Sequence, residues 1–398
     1  MKGKKDSELL TILEPKNQDN SYKISDSYDQ YYSSGIYQKR YNDTTNQTSS
    51  EEVIGAAIRI IERKTLKLEK LIDTNKDEEI GLLSDRIKTN KLRILDFGCG
   101  DGRFFNAIIA IGEEAKKKGV EIEFIAYDIS KSGLEDFTKK MLKFDFKITD
   151  ENDKNWKIKK DNLIINFVLG NEKSSPEQIA QNIGDVDMTM CMFGVLSHIY
   201  GRENRVNLMK MFAEITNKDG EVVISVPSKK RFSQEQKHYD FLISEQKIDD
   251  IHGIKMESGD LFYTRKENGN VKVQNYYHVY SAEELKEDLT KSGLIGQIKT
   301  DHVLDETRTT QNNCWKYIDR ELAKFSTNYI NNYIADYYLV SAIPEKDNFL
   351  QLLSTVSESR KNKGCLDCLI SCCSSLKGLF ARASQPSISD QNQNQFNL

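Results

Sequence analysis

The fold is decided by one stretch of the sequence, Lys91-Leu92-Arg93-Ile94-Leu95-Asp96-Phe97-Gly98-Cys99-Gly100-Asp101-Gly102-Arg103. An apolar pair leads into Asp96, and glycines follow at every second position: Gly98, Gly100 and Gly102. An apolar-periodic segment then begins at Phe104, so the order predicts a strand, a tight turn and a helix. Because glycine lacks a Cβ, such a turn lets a ligand approach the backbone, and the helix N-terminus points its N–H groups at that ligand. The stretch is therefore predicted to be a nucleotide-binding turn.

The spacing of the glycines and the next predicted strand distinguish this turn from a dinucleotide-binding turn. Dinucleotide-binding turns follow G-x-G-x-x-G, whereas this chain has G-x-G-x-G behind an acidic residue. The strand predicted at residues 120–128 also ends in a carboxylate, that of Asp128. Its two oxygens can accept hydrogen bonds from both hydroxyls of a ribose. Asp128 could instead be the N-cap of the helix that starts near Ser130, and the glycine turn before it favours the ribose contact.

Strands and helices alternate along the chain after the glycine turn. Apolar runs predict strands at residues 163–170, 185–192 and 221–227, with further strands at 295–302 and 336–343. A helix is predicted at residues 203–216, and the charged segment 144–161 is predicted to be an irregular surface excursion. Such alternation favours an α/β fold with a doubly wound, mostly parallel sheet.

The chain is predicted to have four parts. Residues 1–50 form a Tyr-rich N-terminal segment, which could be a flap over a ligand or a strap packed on the surface. Residues 51–90 form an N-terminal helix and a charged linker, with Ser49 and Glu52 at the spacing of a capping box. The sheet domain spans residues 91–344, and residues 345–398 form a Cys-rich, largely flexible tail.

An insertion at residues 228–276 interrupts the alternation of the sheet domain. It combines a basic stretch with a hairpin signal at Gly269-Asn270. The insertion could build an acceptor pocket, or its charges could form a solvated face.

Composition excludes several classes of protein. The 398 residues include 57 basic and 61 acidic ones, for a formal net charge of -4, so no global field attracts nucleic acid or an anionic membrane. The sequence has no apolar run long enough to span a bilayer, and its first residues lack the apolar core of a signal peptide. The protein is therefore predicted to be cytoplasmic, with no integral membrane segment.

The tail holds four closely spaced cysteines: Cys365, Cys368, Cys372 and Cys373. They could bind zinc, but no second pair or histidine completes a standard site, so no metal ligand is assigned. The segment could instead be an amphipathic helix that contacts a membrane through acylated cysteines, or a helix that docks on a protein, or disordered.

Residues 91–344 resemble the class I S-adenosylmethionine (SAM) methyltransferases, whose motif I reads acidic-x-G-x-G-x-G. The resemblance implies a seven-stranded, Rossmann-like sheet with an antiparallel last strand, and SAM as the cosubstrate. Adenine is expected beside the turn after the third strand, where the usual Gly-Asp pair is absent. The residues implied to bind SAM are Asp96, Gly98, Gly100, Gly102, Asp128, Ile129, Asn171, Glu172 and Phe193.

A narrower set of motifs is similar to the tRNA wobble-uridine methyltransferases that esterify a carboxymethyl group on the base. Tyr28-Asp29 with Arg40 matches that family's N-terminal pattern, and Tyr28 and Arg40 are accordingly expected beside the cofactor. Residues 193–199, followed by Arg202 to Arg205, resemble its apolar-His-His and Arg-rich segment, and residues 276–280 resemble its Tyr-Tyr-His segment. Three features depart from the family: Ser197 replaces its first histidine, its Pro-Trp-Pro is missing, and the net charge is slightly acidic. The resemblance implies tRNA as the acceptor.

Two histidines are the candidates for catalysis, His198 at the end of the fourth strand and His278 in the Tyr-Tyr-His segment. Methyl transfer from a sulfonium requires above all that nucleophile, methyl carbon and sulfur lie in line. A general base is needed only for a protonated acceptor, and a carboxylate needs none. Each histidine could therefore act as a base, hold the acceptor by a hydrogen bond, or be structural. Two other functions remain open: methylation of a small molecule such as a quinone precursor, lipid or metabolite, and SAM binding without catalysis.

Overall fold

The structure is a computed structural model, and it describes residues 24–33, 44–45, 47–74, 90–152, 155–229, 240, 243, 250–251, 253–267, 270–301, 304–305 and 337–345. The described α-helices are α1 (Ile24–Ser33), α2 (Gln47–Thr74), α3 (Phe105–Lys117), α4 (Lys131–Leu142), α5 (Pro176–Ile183), α6 (Arg202–Ile215) and α7 (Ala282–Lys291). The strands are β1 (Thr44–Thr45), β2 (Lys91–Phe97), β3 (Glu121–Asp128), β4 (Lys147–Glu151), β5 (Asn155–Lys160), β6 (Leu163–Leu169), β7 (Val186–Cys191), β8 (Thr216–Pro227), β9 (Asp250–Ile251), β10 (Ile254–Lys255), β11 (Asp260–Glu267), β12 (Asn270–His278), β13 (Leu294–Asp301), β14 (Leu304–Asp305) and β15 (Tyr337–Pro344).

A single large sheet organises these elements, with the strand order β13-β15-β8-β7-β2-β3-β6-β5-β4. The strands β8, β7, β2, β3 and β6 are mutually parallel, and β15 runs antiparallel between β13 and β8. The predicted doubly wound α/β fold is confirmed, including its antiparallel last strand. Because β2 lies in the middle of the parallel set, the glycine turn after it opens at the carboxyl edge of the sheet, where ligands bind in such folds.

The two faces of the sheet bury two separate apolar clusters. Alternate residues of β2 divide between them: Leu92 and Ile94 join the cluster that contains α2, α3 and α4, whereas Leu95 and Phe97 join the cluster that contains α5, α6 and α7. A strand whose residues are buried on both sides reads as a nearly continuous apolar run, as the sequence of β2 does. Helices on both faces therefore fix the position of the glycine turn.

The segment predicted to be an irregular surface excursion, residues 144–161, is instead the β4–β5 hairpin, which extends the seven predicted strands to nine. In β5 the exposed residues alternate with Trp156 and Ile158, which are buried. The Trp156 ring stacks on Phe167, with centroids 5.2 Å apart, and its Nε1 donates to the Thr138 hydroxyl at 2.8 Å. The prediction of an irregular excursion was wrong because most side chains of this edge hairpin are charged and face water. Only two residues of β5, Trp156 and Ile158, show the buried side in the sequence.

Two smaller predictions also need correction. The helix predicted to be capped by Ser49 begins at Gln47, so Ser49 lies within α2, where it is fully buried. Residues 217–220, which separate the predicted helix 203–216 from the predicted strand 221–227 and read as a turn, are instead a bulge within β8, since they lie between the pairs Val186–Thr216 and Met188–Glu221. The predicted hairpin within the insertion is confirmed as the antiparallel pair β11–β12. Most of the basic stretch before this hairpin, and the Cys-rich tail, lie outside the described residues.

Candidate active site

The glycine turn after β2 adopts a backbone conformation that other residues rarely reach. All three of its glycines have a positive φ, between 55° and 76°: Gly98, Gly100 and Gly102. Gly100 also has no room for a side chain, because a Cβ built on it would lie 2.2 Å from the hydroxyl oxygen of Tyr32 on α1. The turn can therefore keep this shape only with glycine, and its backbone is open to close approach by a ligand.

Asp128 closes one side of the turn from the end of β3. Its Oδ2 accepts a hydrogen bond from the Gly100 N–H at 2.7 Å, and its Oδ1 accepts one from the Ser130 N–H at 2.8 Å. Burial raises the pKa of this carboxyl to about 6, and the two backbone donors act against that rise. Ser130, not Asp128, caps helix α4, since the Ser130 hydroxyl accepts from the Gly133 N–H. Each Asp128 oxygen keeps a further lone pair for a ligand hydroxyl.

Asp96, at the end of β2, is a buried carboxyl beside this turn. Its residue surface is 2 % exposed. Burial raises the pKa of Asp96 well above its ordinary value, and the nearby charge of Asp128 raises it further. Burial therefore favours the neutral form of Asp96, and a cation bound beside it would favour the carboxylate, because an unpaired buried charge is costly.

Three more predicted residues lie at the same edge of the sheet, two in the turn after β6 and one directly after β3. The Gly170 N–H donates to the Asp128 carbonyl at 2.8 Å, which sets the turn beside the end of β3. Asn171 and Glu172 follow it and are exposed, and Asn171 Oδ1 accepts from the Lys173 N–H at 2.9 Å. Ile129 is half-buried between Asp128 and the cap of α4.

Phe193, just beyond β7, is a non-glycine residue with φ of 57°. Its N–H donates to the Ser225 hydroxyl at 2.6 Å, and its ring stacks on Phe104 with centroids 5.0 Å apart. The Arg103 guanidinium carbon lies 3.9 Å from the centre of the Phe193 ring. A left-handed backbone at a bulky residue costs free energy and often marks a functional site.

His198 is the last residue of the short 3-10 helix Leu196–His198. The Tyr28 side chain of α1 contacts the imidazole ring of His198. The Tyr28 hydroxyl lies 2.5 Å from His198 Nε2, and His198 Nδ1 lies 2.9 Å from the Tyr276 carbonyl oxygen. A carbonyl can only accept, so Nδ1 carries the proton and Nε2 of the neutral ring accepts from Tyr28. The Tyr277 ring packs on the other side of His198, with centroids 4.8 Å apart.

Helix α1 joins the glycine turn to the histidine. The Asp29 carboxylate accepts from the Ser130 hydroxyl at 2.6 Å and from the Ser132 N–H at 3.2 Å, so α1 is fastened to the start of α4. At its other side, the Ser27 hydroxyl donates to the Asn275 side-chain oxygen on β12. The Tyr-rich segment therefore contains a helix that contacts both halves of the site.

His278, the second predicted catalytic residue, is placed differently. Its side chain is fully buried, with Nδ1 2.7 Å from Asp260 Oδ1 and Nε2 2.9 Å from Glu284 Oε1. Both ring nitrogens therefore face carboxylates inside the protein, and the ring does not join the Tyr28–His198 pair. Arg40, the remaining predicted residue, lies outside the described residues.

Sequence reasoning left out three residues that shape the site. Tyr32 lies four residues after Tyr28, so both occupy one face of α1, and this spacing was an available signal. Ser130 was visible only as a possible helix start. Arg205 belonged to the Arg-rich segment, but its contacts with distant residues have no signature in local sequence.

Comparisons with known proteins identify the class. The sequence profile described as a methyltransferase domain matches residues 59–295, which is more than half of the chain. A sequence search of curated proteins finds no match. The solved structures that resemble this one include the CcbJ methyltransferase of Streptomyces caelestis, at 12 % identity and a TM-score of 0.37 over 64 % of this chain and 84 % of that one. A SAM-dependent methyltransferase of Clostridium acetobutylicum has 12 % identity and a TM-score of 0.36, over 70 % and 96 % of the two chains. A SAM-dependent methyltransferase of Methanosarcina mazei has 13 % identity and a TM-score of 0.37, over 64 % of this chain and 93 % of that one.

The chain belongs to the methyltransferase domain family. It is a SAM-dependent methyltransferase, and SAM is its methyl donor. No helix in the described part of the chain combines the length and the apolarity that crossing a bilayer requires.

Proposed function

We propose that this enzyme methylates an oxygen of a carboxymethyl group on the wobble uridine of a tRNA. One observation carries the proposal: the three segments of the narrower resemblance meet at His198. Tyr28 comes from the first segment, His198 from the second, and the third supplies the Tyr276 carbonyl that bonds to Nδ1. Motif residues that are separated by 170 and 78 positions and still converge on one ring support a shared role.

The donor side of the site fits SAM. We assign the ribose hydroxyls to Asp128 and the methionine part to the glycine turn, which carries no side chain at Gly98, Gly100 or Gly102. The buried Asp96 carboxyl suits the α-ammonium group of that part, because it is the buried acid in need of a cation. The half-buried Ile129 and the turn residues Asn171 and Glu172 are proposed to border the adenine, as the sequence predicted.

The acceptor side is assigned to His198, Tyr28 and Phe193. SAM supplies a methyl group that is already activated on a sulfonium, so the protein's task is to align the acceptor oxygen with the carbon–sulfur bond. As the new carbon–oxygen bond forms, the carbon–sulfur bond breaks and its electron pair stays on sulfur. Protonated His198 can donate from Nε2 to an acceptor carboxylate, and the Tyr28 hydroxyl can donate to the same group. Tyr200, two residues further on, keeps 48 % of its surface exposed and is available to stack on a base.

His278 is less suited to proton transfer with an acceptor than His198. Its ring is fully buried between Asp260 and Glu284, so contact with an acceptor would require breaking one of these bonds. Of the two histidines, we therefore assign the contact with the acceptor to His198.

A second candidate is a small molecule with a hydroxyl group. The observation that favours it is the Tyr28 hydroxyl 2.5 Å from His198 Nε2, since an acceptor hydroxyl in that place could give its proton to the same nitrogen. In this case the ring is a general base and the acceptor loses its proton as the methyl group arrives.

The acceptor is tested by incubating the enzyme with SAM labelled in its methyl group. A bulk tRNA fraction and a small-molecule extract are offered separately. The proposal expects label in tRNA, in a form that mild alkali releases as methanol because it is an ester. Label that is found only in the small-molecule extract, or in tRNA but stable to alkali, would overturn the carboxymethyl assignment.

SAM binding is expected to weaken at acidic pH. The raised pKa of Asp128, about 6, means that the free enzyme takes up a proton there as pH falls through 6. Ribose hydroxyls bind the ionised form better, since charge-assisted hydrogen bonds are the stronger ones. Calorimetric titration should therefore find Kd for SAM constant above pH 7 and weaker by about tenfold at pH 5.

The Asp128→Asn variant is the control for this titration. It should bind SAM about 10- to 100-fold more weakly at pH 7.5, as expected when a bond to a charged group is lost. Its affinity should also be nearly independent of pH. A variant with the pH dependence of the wild type would show that another group titrates.

A further inference from the structure

Arg205 on α6 is a fully buried arginine that the methyl-transfer step does not use directly. Its NH1 donates to the Ile199 carbonyl at 3.2 Å and lies 3.1 Å from the Tyr276 hydroxyl. Ile199 follows His198 in the chain, and Tyr276 supplies the carbonyl that bonds to His198 Nδ1. One guanidinium nitrogen therefore joins the segment that carries the histidine to the strand that orients its ring.

Strand geometry explains how β12 contacts both the buried polar groups around Arg205 and the ring of His198. Successive side chains of a strand point to opposite sides. Tyr276 and His278 point toward the buried polar groups, whereas Tyr277 points toward the His198 ring. The Tyr277 hydroxyl also lies against Gly194, where an added Cβ would be 2.6 Å away. A shift of β12 would therefore move both the carbonyl and the ring that surround His198.

Carboxylates complete the attachment of β12 to the buried polar groups. The Tyr276 hydroxyl donates to Asp260 Oδ1 at 2.6 Å, and His278 bridges Asp260 and Glu284. NH1 of Arg205 lies 4.0 Å from the same Asp260 oxygen. The strand is thus held by directional bonds at two alternate residues, and these bonds resist sliding better than apolar packing does.

Burying these charged groups contributes little to the free energy of unfolding of the core. Buried charges lose their hydration, and a well-packed apolar replacement is often as stable or more stable. Within the described residues, Arg205 Nε, the Tyr280 hydroxyl and Asp288 Oδ2 are buried and have no hydrogen-bond partner. A polar network that is only partly satisfied adds little stability, so what these charges contribute is geometry.

We propose that Arg205 is a positioning residue for His198: by tying Ile199 to Tyr276, it keeps Nδ1–H of His198 bonded to the Tyr276 carbonyl and Nε2 turned toward the acceptor, in the neutral and in the protonated ring alike. In the neutral ring this orientation shows as the Nδ1–H tautomer. Arg205 touches neither substrate. The inference concerns the geometry of His198 and rests on the proposed function only for its effect on rate.

The test measures the tautomer of His198 in the full chain by long-range ¹H–¹⁵N NMR on protein with labelled histidine. The His198→Gln variant identifies the His198 signals among those of the five histidines. The wild type should show the neutral ring protonated at Nδ1. Arg205→Lys keeps the charge but cannot bridge two groups in the same geometry, so the His198 signals should move to a mixture of tautomers. The turnover number should fall about 10- to 100-fold, in line with a small displacement of a site residue, while Kd for SAM stays within about twofold.

Arg202→Lys is the matched control. Arg202 lies one turn earlier on α6, and its hydrogen bonds among the described residues run to Glu257, Glu287 and Asp288, away from the bridge between Ile199 and Tyr276. This variant should keep the tautomer of the wild type. If Arg205→Lys does not fold, Tyr276→Phe carries the test, because it removes the other end of the bridge and only one oxygen atom.

The outcomes separate the two proposals. A folded Arg205→Lys or Tyr276→Phe variant with an unchanged His198 tautomer overturns the role of Arg205, even if its rate is reduced. If the tautomer responds but no tRNA fraction accepts a methyl group, the assigned acceptor fails and the positioning role stands.

Discussion

Replacing Gly100 by alanine is expected to weaken SAM binding by at least about 100-fold, which corresponds to roughly 2.7 kcal/mol. Two effects act together at this position. The backbone there has φ of +55°, which costs an L-residue about 1–2 kcal/mol. The new Cβ would also lie 2.2 Å from the Tyr32 hydroxyl, so the ring of Tyr32 or the turn must shift, and a shift of the turn displaces the backbone that is proposed to contact SAM. Calorimetric titration with SAM measures the loss.

Gly119→Ala separates strain from obstruction. Gly119 has a similar φ, +65°, but nothing lies within 4 Å of an added Cβ. This variant should lose about the same stability from its backbone, since the conformational cost is the same, and it should keep the wild-type Kd for SAM. A folded Gly100→Ala variant with unchanged SAM affinity would falsify the assignment of this turn to the donor.

The double variant Gly100→Ala, Tyr32→Phe separates the effect of the clash with Tyr32 on thermal stability from the effect of the alanine on SAM affinity. Without the hydroxyl, the nearest atom of residue 32 would be the ring carbon Cζ, 3.2 Å from the new Cβ, so most of the clash with α1 disappears. Thermal stability should then recover toward that of Gly119→Ala. SAM affinity should stay low, because alanine at position 100 still disfavours the left-handed backbone on which the shape of the turn depends.

Replacing His198 by alanine is expected to lower the turnover number by about 100-fold or more, because loss of a group that orients or deprotonates the acceptor costs factors of this size. Kd for SAM should change little, since the contacts of His198 run to Tyr28, Tyr276 and Tyr277 and not to the glycine turn. Single-turnover methyl transfer at saturating SAM measures the effect. Normal turnover by His198→Ala would remove this residue from the mechanism.

Ser197→Ala is the matched control for this experiment. Ser197 is the neighbour of His198, its hydroxyl is fully buried, and that hydroxyl has no hydrogen-bond partner within the described residues. Its removal should leave turnover within about twofold, because no bond is lost.

The pH dependence of the turnover number shows how His198 acts. A ring that holds an acceptor carboxylate through Nε2 must be an imidazolium, so the rate should fall as pH rises. A ring that acts as a general base must be neutral, so the rate should fall as pH drops. Saturating SAM removes the contribution of Asp128. The proposed carboxylate acceptor requires the first profile.

The donor side of the site could be predicted because its signals are local. Three alternating glycines and an acid at the end of each of two neighbouring strands, Asp96 and Asp128, are patterns within a few residues, and the structure places them at one edge of the sheet. The β4–β5 hairpin was missed for the opposite reason, since only Trp156 and Ile158 show its buried side.

The acceptor side depends on contacts between distant parts of the chain. Tyr28 and His198 are 170 positions apart, and no periodicity links them. The two histidines show the same limit, because sequence marked both as candidates. Only the two carboxylates around the His278 ring distinguish it from His198, and one of these, Asp260, lies 18 positions away on the facing strand.

Helix α1 also has a thermodynamic consequence. It touches the donor side through Asp29 and Tyr32 and the acceptor side through Tyr28. Any difference between a loosely and a firmly seated α1 therefore enters the binding constants of both substrates. Such linkage is reciprocal: the factor by which SAM tightens the binding of the acceptor is the factor by which the acceptor tightens the binding of SAM.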